Sequence, residues 1–275
     1  MKGENIMYIK MRFPNGVSKT LTLSYDDGPD ADERFIGIMS KNGLKGTFNL
    51  NSSMFFGDGD SRKRADRLKK LYIDSKNEVA CHGVYHPKLE KLPLPAMIHE
   101  ILNDRENLEK EFDTIVRGMA YPYGSYDANV LQALKLCGIC YSRTVCPTGD
   151  LRIPDNWLEL APTCHHDDSR LWDITDRFLK TEGDIDPMLF YVWGHTYEFD
   201  RHDNWERFED FAAKIGNRDD VWYATNIQIY DYIEGFKRLS FSADSKIVHN
   251  PNSFKVWFSA DGKIVDLEPG ETKRI

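Results

Sequence analysis

Between residues 20 and 238, short apolar runs alternate with amphipathic stretches seven or eight times in succession. The runs at 20–25, 45–51, 78–82, 117–121, 140–145, 158–164, 188–193 and 221–225 have the composition and length of strands. The stretches between them read as helices. Asp30 is placed to cap one that runs to about Asn42, with Phe35, Ile38 and Met39 on its apolar stripe. Residues 65–75 put Leu68, Leu71 and Tyr72 on one face. Pro93 or Pro95 opens a long helix to about Phe112, and Asp127 caps another to Cys137. Further helices are expected at 171–180, about 204–215 and about 226–238. Such alternation predicts a parallel sheet, and in a chain of 275 residues a closed or distorted barrel is favoured over an open sheet. The pattern changes near Ser240. Phe254, Val256 and Phe258, then Asp261-Gly262, then Ile264, Val265 and Leu267 have the signature of a hairpin with an Asp-Gly turn. The expected organisation is an α/β barrel over residues 1–240 with a small β-hairpin appendage, 241–275, packed on it.

The chemistry gathers at strand ends. The first strand runs straight into Asp26-Asp27-Gly28-Pro29. Two adjacent carboxylates repel each other, and each raises the other's pKa unless a positive charge compensates. A bound cation does so most directly. Co-ligands stand about fifty-five residues on, in Cys81-His82-Gly83-Val84-Tyr85-His86-Pro87. One Asp and two His make a three-ligand open site for zinc or a similar divalent metal. Read singly, Asp-Asp-Gly-Pro is often only a turn that caps a helix, and His-x3-His often holds nothing. Both motifs close predicted strands, where α/β folds place their sites, and that shared placement favours the joint reading.

Bulk properties narrow the classes. Hydrophobic residues make up 41% of the chain and aromatics 12%, enough for a sizeable core. A net charge of −8 argues against a nucleic-acid partner. The basic run from Arg62 to Lys70 contains Asp66 and reads as a solvated helix face. Residues 1–19 lack the apolar core of a signal peptide, and no stretch approaches a membrane span. Five cysteines, an odd number, suggest a reducing compartment, so a cytoplasmic location is expected. Cys137-Gly138-Ile139-Cys140 has redox-motif spacing but follows a helix rather than opening one, so a structural role is expected.

The ordered set of strand-end motifs resembles the polysaccharide deacetylases, the NodB-homology or carbohydrate esterase 4 family, over about residues 20–235. Ser24-Tyr25-Asp26-Asp27-Gly28-Pro29 is similar to its first motif and His82-Gly83-Val84-Tyr85-His86-Pro87 to its second. Ala120-Tyr121-Pro122-Tyr123-Gly124 is similar to its third and Trp193-Gly194-His195 to its last. The resemblance implies a distorted (β/α)7 barrel. It implies Asp26 as the general base, Asp27, His82 and His86 as metal ligands, the Tyr123 backbone N–H as an oxyanion donor and His195 as the general acid. One divalent metal follows, zinc first, with cobalt, nickel or iron as alternatives that suit the same ligands. The implied substrate is an N-acetylated carbohydrate or related small molecule. Nothing in the sequence indicates a nucleic-acid or membrane partner, and the oligomeric state is open.

The departures are informative. Ala120 stands where the family usually has an Arg that steadies the base, and Arg143, at the end of the next strand, is a candidate replacement. Its competing reading is a structural salt bridge. Gly83 replaces a usual Ser or Thr, and Trp193 a usual Leu. The Asp-rich fourth motif is not cleanly present. His165-His166-Asp167-Asp168 and Trp172 occupy its region, and either acid is a candidate to orient His195. These changes suggest a divergent branch whose substrate differs from a long polysaccharide. Two other functions stay open: an allantoinase-like, metal-independent amidohydrolase and a non-catalytic carbohydrate-binding barrel.

Overall fold

The computed structural model describes residues 7–275. The reading of residues 1–19 as lacking a signal peptide thus falls partly on residues 1–6, outside the described residues. The strands in chain order are β1 (Ile9–Arg12), β2 (Lys19–Asp26), β3 (Gly46–Leu50), β4 (Glu78–Cys81), β5 (Gly118–Ala120), β6 (Tyr141–Arg143), β7 (Cys164–His165), β8 (Met188–Gly194) and β9 (Val221–Tyr223). The helices are α1 (Asp32–Lys41), α2 (Gly59–Ser75), α3 (Leu94–Phe112), α4 (Ala128–Leu136), α5 (Leu171–Lys180), α6 (Tyr197–His202), α7 (Trp205–Ile215) and α8 (Asn226–Lys237).

A curled parallel sheet runs in the order β6-β5-β4-β3-β2-β8-β7, a distorted (β/α)7-type barrel with extra strands. β2 is its centre. β8 lies along Lys19–Tyr25, while β9 pairs at Lys19–Leu21 and β3 at Leu23–Asp26. The remaining gap is spanned by residues 160–165, which meet β6 at Leu160 and β8 from Thr163 to His165. The strand expected at 158–164 is therefore a short turn, Trp157–Glu159, then a single bridge and two residues of β7.

Strand alternation sorts β2 into two faces. Leu21, Leu23 and Tyr25 join the main core with Phe35, Phe48, Phe190, Phe208 and Phe211. Thr20, Thr22, Ser24 and Asp26 are equally buried and face the other way. Their side chains are paired, as buried polar groups must be. Thr22 donates to Asn226, whose amide donates to Tyr191, and Asn49 donates to both Ser24 and Asp26. A polar ladder thus climbs one face of β2 and ends on a carboxylate.

β10 (Ser240–Phe241), β11 (Ile247–His249), β12 (Val256–Ala260), β13 (Lys263–Leu267) and β14 (Thr272–Arg274) follow the barrel. They form two three-stranded antiparallel sheets, ordered β10-β11-β14 and β1-β12-β13. β12 and β13 turn at Asp261 and Gly262, both at positive φ as an Asp-Gly hairpin requires. The basic residues of α2 are neutralised by Asp30, Glu33, Asp60, Asp66, Asp74 and Glu111. Gly138, at φ +72, ends α4, which leaves Cys137 buried at the helix C-terminus. No helix among the described residues is long and apolar enough to cross a membrane.

Candidate active site

The site assembles where β2, β4, β5, β6 and β8 end. Asp26 closes β2 and is buried. Asp27 and Gly28 then take φ of +74° and +60°, which turns the chain sharply. His86 and Tyr123 also hold positive φ, at +56° and +59°. Such backbone is uncommon for non-glycine residues and clusters where function constrains the chain.

His82 follows β4 and is held at both ends. Its backbone N–H donates to Leu50 O and to the Asp104 carboxylate, which also accepts from the N–H groups of Ser52 and Gly83. Burial pushes Asp104 up to about 6, against the pull of those N–H groups. The His82 Nδ1 lies 2.9 Å from Ala120 O, which can only accept. The proton therefore sits on Nδ1, and Nε2 presents a lone pair. That Nε2 lies 3.1 Å from His86 Nε2 and 3.6 Å from Asp27 Oδ1, and His86 Nε2 lies 3.9 Å from the same oxygen. A point equidistant from these three atoms is about 2.1 Å from each, the length of a zinc bond to nitrogen or to a carboxylate oxygen. The donor set fits a divalent ion. Burial and the neighbouring His82 lower the His86 pKa, which favours the neutral ring that ligation needs.

Asp26 lies beside this triangle, not in it. Asn49 donates to its Oδ1 at 2.8 Å, and Arg143 Nη2 donates to its Oδ2. Arg143 sits directly opposite Ala120 in the β5–β6 ladder, so the guanidinium reaches Asp26 from the strand next to the vacant motif position. Its face rests 4.4 Å from the Trp193 ring, which ties two departures from the family pattern together. Burial pushes the Asp26 pKa up, but Arg143, His82, His195 and the Asn49 bond outweigh it and leave the group below its usual value.

His195 follows β8 on the same rim, with Nε2 3.9 Å from one oxygen each of Asp26 and Asp27. Burial lowers its pKa, but Glu198, Asp26 and Asp27 prevail and raise it. The Tyr123 ring packs edge-on against that of His86, with centroids 4.4 Å apart. Asp26, Asp27, His82, His86, Arg143 and His195 are thus linked on one rim, with the Tyr123 ring against His86.

The acid beside His195 is Glu198, a residue the sequence reading did not single out. Asp167 instead bonds His202 and Asn204, and Asp168 bonds Arg170. The available signal was spacing: His195 and Glu198 are three apart in a segment that turns sharply from strand to helix.

Residues 14–142 match the family model for polysaccharide deacetylase. A chitin deacetylase from Arthroderma benhamiae is 30% identical over 124 residues, 43% of this chain and 31% of that protein. An uncharacterised Streptomyces coelicolor protein is 28% identical over 117 residues, 42% of this chain and 44% of its own. The chain spans less than half the length of these curated relatives. Among solved structures, the peptidoglycan deacetylase PdaC of Bacillus subtilis shares the fold with a TM-score of 0.52 at 16% identity, over 82% of this chain and 95% of that one. A carbohydrate esterase 4 family pseudoenzyme of Bacillus anthracis does so with a TM-score of 0.50 at 17% identity, over 81% and 68%. Because one such neighbour is a pseudoenzyme, the fold alone does not carry an activity.

Proposed function

We propose that this protein is a metal-dependent hydrolase of non-peptide C–N bonds that removes the acetyl group from an N-acetylated amino sugar. The observation that carries this reading is the Asp27–His82–His86 triangle, sized for a divalent ion, with an ion-paired carboxylate and a second histidine beside it. Zinc suits the triangle best, and cobalt, nickel or iron would also be accepted. Asp27, His82 and His86 would hold the ion, which would supply polarisation of the acyl oxygen and acidification of water.

The chain's own groups supply the rest. Asp26, fixed by Arg143 and Asn49, takes the proton from the attacking water as its oxygen adds to the acyl carbon. The Tyr123 N–H donates to the oxygen that gains charge. The His195 Nε2 gives its proton to the nitrogen as the C–N bond breaks, so the products are acetate and a free amine. Arg143 pairs with Asp26, rests on Trp193 and reaches Thr144 O, and it acts on the reaction through Asp26, in place of the motif arginine. The five cysteines are unpaired, which supports a cytoplasmic, reducing setting.

The deciding experiment is metal analysis of the purified protein followed by an acetate-release screen on N-acetylated sugars, from monomers to oligomers. His82→Ala is expected to lose most of the metal with the fold retained, and full occupancy in that variant would refute the ligand set. Asp26→Asn is expected to keep the metal and lose at least about 10²-fold in turnover, the low end for losing a general base.

A further inference from the structure

Glu198 Oε2 collects more donors than a surface glutamate would. The His195 backbone N–H donates to it at 3.0 Å and His165 Nε2 lies 3.1 Å away. His195 Nδ1 is 3.3 Å from the same atom. The proton positions follow from what surrounds each ring. Asp167 N–H donates to His165 Nδ1 at 3.1 Å, so that nitrogen is bare and the His165 proton sits on Nε2, pointing at Glu198. His195 Nδ1 is buried, makes no hydrogen bond of good geometry among the described residues, and has Glu198 Oε2 as its charged neighbour at 3.3 Å. A proton there faces Glu198 and leaves Nε2 facing Asp26 and Asp27.

We propose that Glu198, itself held by His165, is the positioning carboxylate for His195, in an array that runs His165, Glu198, His195 and reverses the roles expected of the surrounding segments. The segment where an orienting acid was expected supplies a histidine, and the acid comes from the helix after the last motif. This proposal rests on the deacetylase reading, since it assigns a partner to the group that protonates the leaving nitrogen. A Cβ on Gly194 would stand 2.0 Å from His166 Nδ1 and 3.2 Å from His165 Nε2, so only glycine lets the His165–His166 segment pack against the end of β8. The Glu198 carboxyl is half-buried, which pushes its pKa up, yet the bonds from His165 and His195 hold it well below the usual range. The array is ionic at its centre, which a merely space-filling glutamate would not need to be.

The test is a double-mutant cycle with metal content measured in every variant. Glu198→Gln keeps size and one acceptor but removes the charge. It is expected to lower kcat on the acetamide substrate about 10- to 100-fold, the range for loss of a group that orients a functional histidine, with KM and metal content unchanged. An activated acetate ester, whose leaving group needs no proton, is expected to lose much less. In the His195→Ala background Glu198→Gln is expected to cost nothing further. His165→Ala is expected to give a smaller loss of the same kind, in kcat and not in KM. Equal losses for amide and ester, or a full additional loss in the His195→Ala background, would overturn the proposal. A readout independent of turnover is the ring ¹⁵N spectrum of His195 in metal-free protein. The proton is expected on Nδ1 in the parent and displaced toward Nε2 in Glu198→Gln. An unchanged spectrum would also overturn it. Absence of turnover by the parent on every acetylated sugar would refute the deacetylase reading alone, and the spectrum would still decide the role of Glu198.

Discussion

Arg143 and Asp26 are the pair on which the site's electrostatics turn, because both are almost fully buried. Removing one partner of a buried ion pair leaves an uncompensated charge, a loss of about 3–5 kcal/mol. Arg143→Met is therefore expected to destabilise the protein by that order, measured by urea unfolding. Adding Asp26→Asn is expected to recover much of it, because the stranded charge is gone. Arg143→Lys keeps the charge but not the planar fork resting on Trp193, and it is expected to lower turnover with metal content unchanged. At this scale the sequence was most legible where a polar residue interrupts an apolar run at its end, as Asp26, His82 and His195 do. Arg143 could be proposed because the vacancy at Ala120 asked for a guanidinium nearby. Glu198 was illegible because a glutamate in a first helical turn is ordinarily a solvated residue that suits the helix dipole. Its meaning comes from His165, thirty-three positions away, which only the tertiary fold brings to it.

Three elements meet on another carboxylate, next to the rim but outside the reacting groups. Asp32 opens α1, accepts from Tyr72 Oη of α2 at 2.5 Å and accepts from Thr196 Oγ1 in the turn after β8 at 2.5 Å. Burial raises its pKa to about 7, against those two bonds. Unfolded, the group titrates near ~3.9. Between roughly pH 4 and 7 the folded state thus binds a proton that the unfolded state does not, and the sign follows: this contribution to stability falls as pH rises through that window. Asp32→Asn keeps one acceptor and adds a donor without titrating. Its stability relative to the parent is expected to rise steadily from pH 4.5 to 7.5, and parallel profiles by denaturant unfolding would show that Asp32 does not titrate there. Element boundaries were legible where packing and pattern agree, as for β2, β8 and α8, the last opened by a capping box at Thr225. They failed where they disagree. α2 begins at Gly59, earlier than its apolar stripe suggests, because its first turns are charged and held by ion pairs. The two-residue β7 has no periodicity to read.

For the whole molecule, the open question is whether the chain is a barrel carrying a separable appendage or one cooperative body. The sequence suggested a hairpin after residue 240, but local pattern could not show that β1 pairs with β12 along its whole length, from Ile9 with Ala260 to Arg12 with Trp257. A strand from the start of the described chain and one near its end share a sheet, and such non-local pairing leaves no mark in a sequence window. The seam is densely made. Met11 and Phe13 are buried with Tyr232 and Ile233 of α8, and Phe254 and Trp257 pack against the same cluster. Tyr232 Oη donates to Arg12 O and accepts from Trp257 N–H, and Asn252 donates to Gly235 O at the end of α8. Cutting the chain after residue 240 would strip β1 of its partner and uncover that aromatic cluster, so residues 1–240 alone are expected to be much less stable and prone to associate. In the full chain the calorimetric and van't Hoff enthalpies of unfolding are expected to agree, with one transition by far-UV signal and by tryptophan fluorescence. Trp222 and Trp257 flank the seam, so they report its opening. An early fluorescence transition that leaves the helical signal intact would show that the C-terminal sheets detach from the barrel before it unfolds, and that the molecule is two bodies after all.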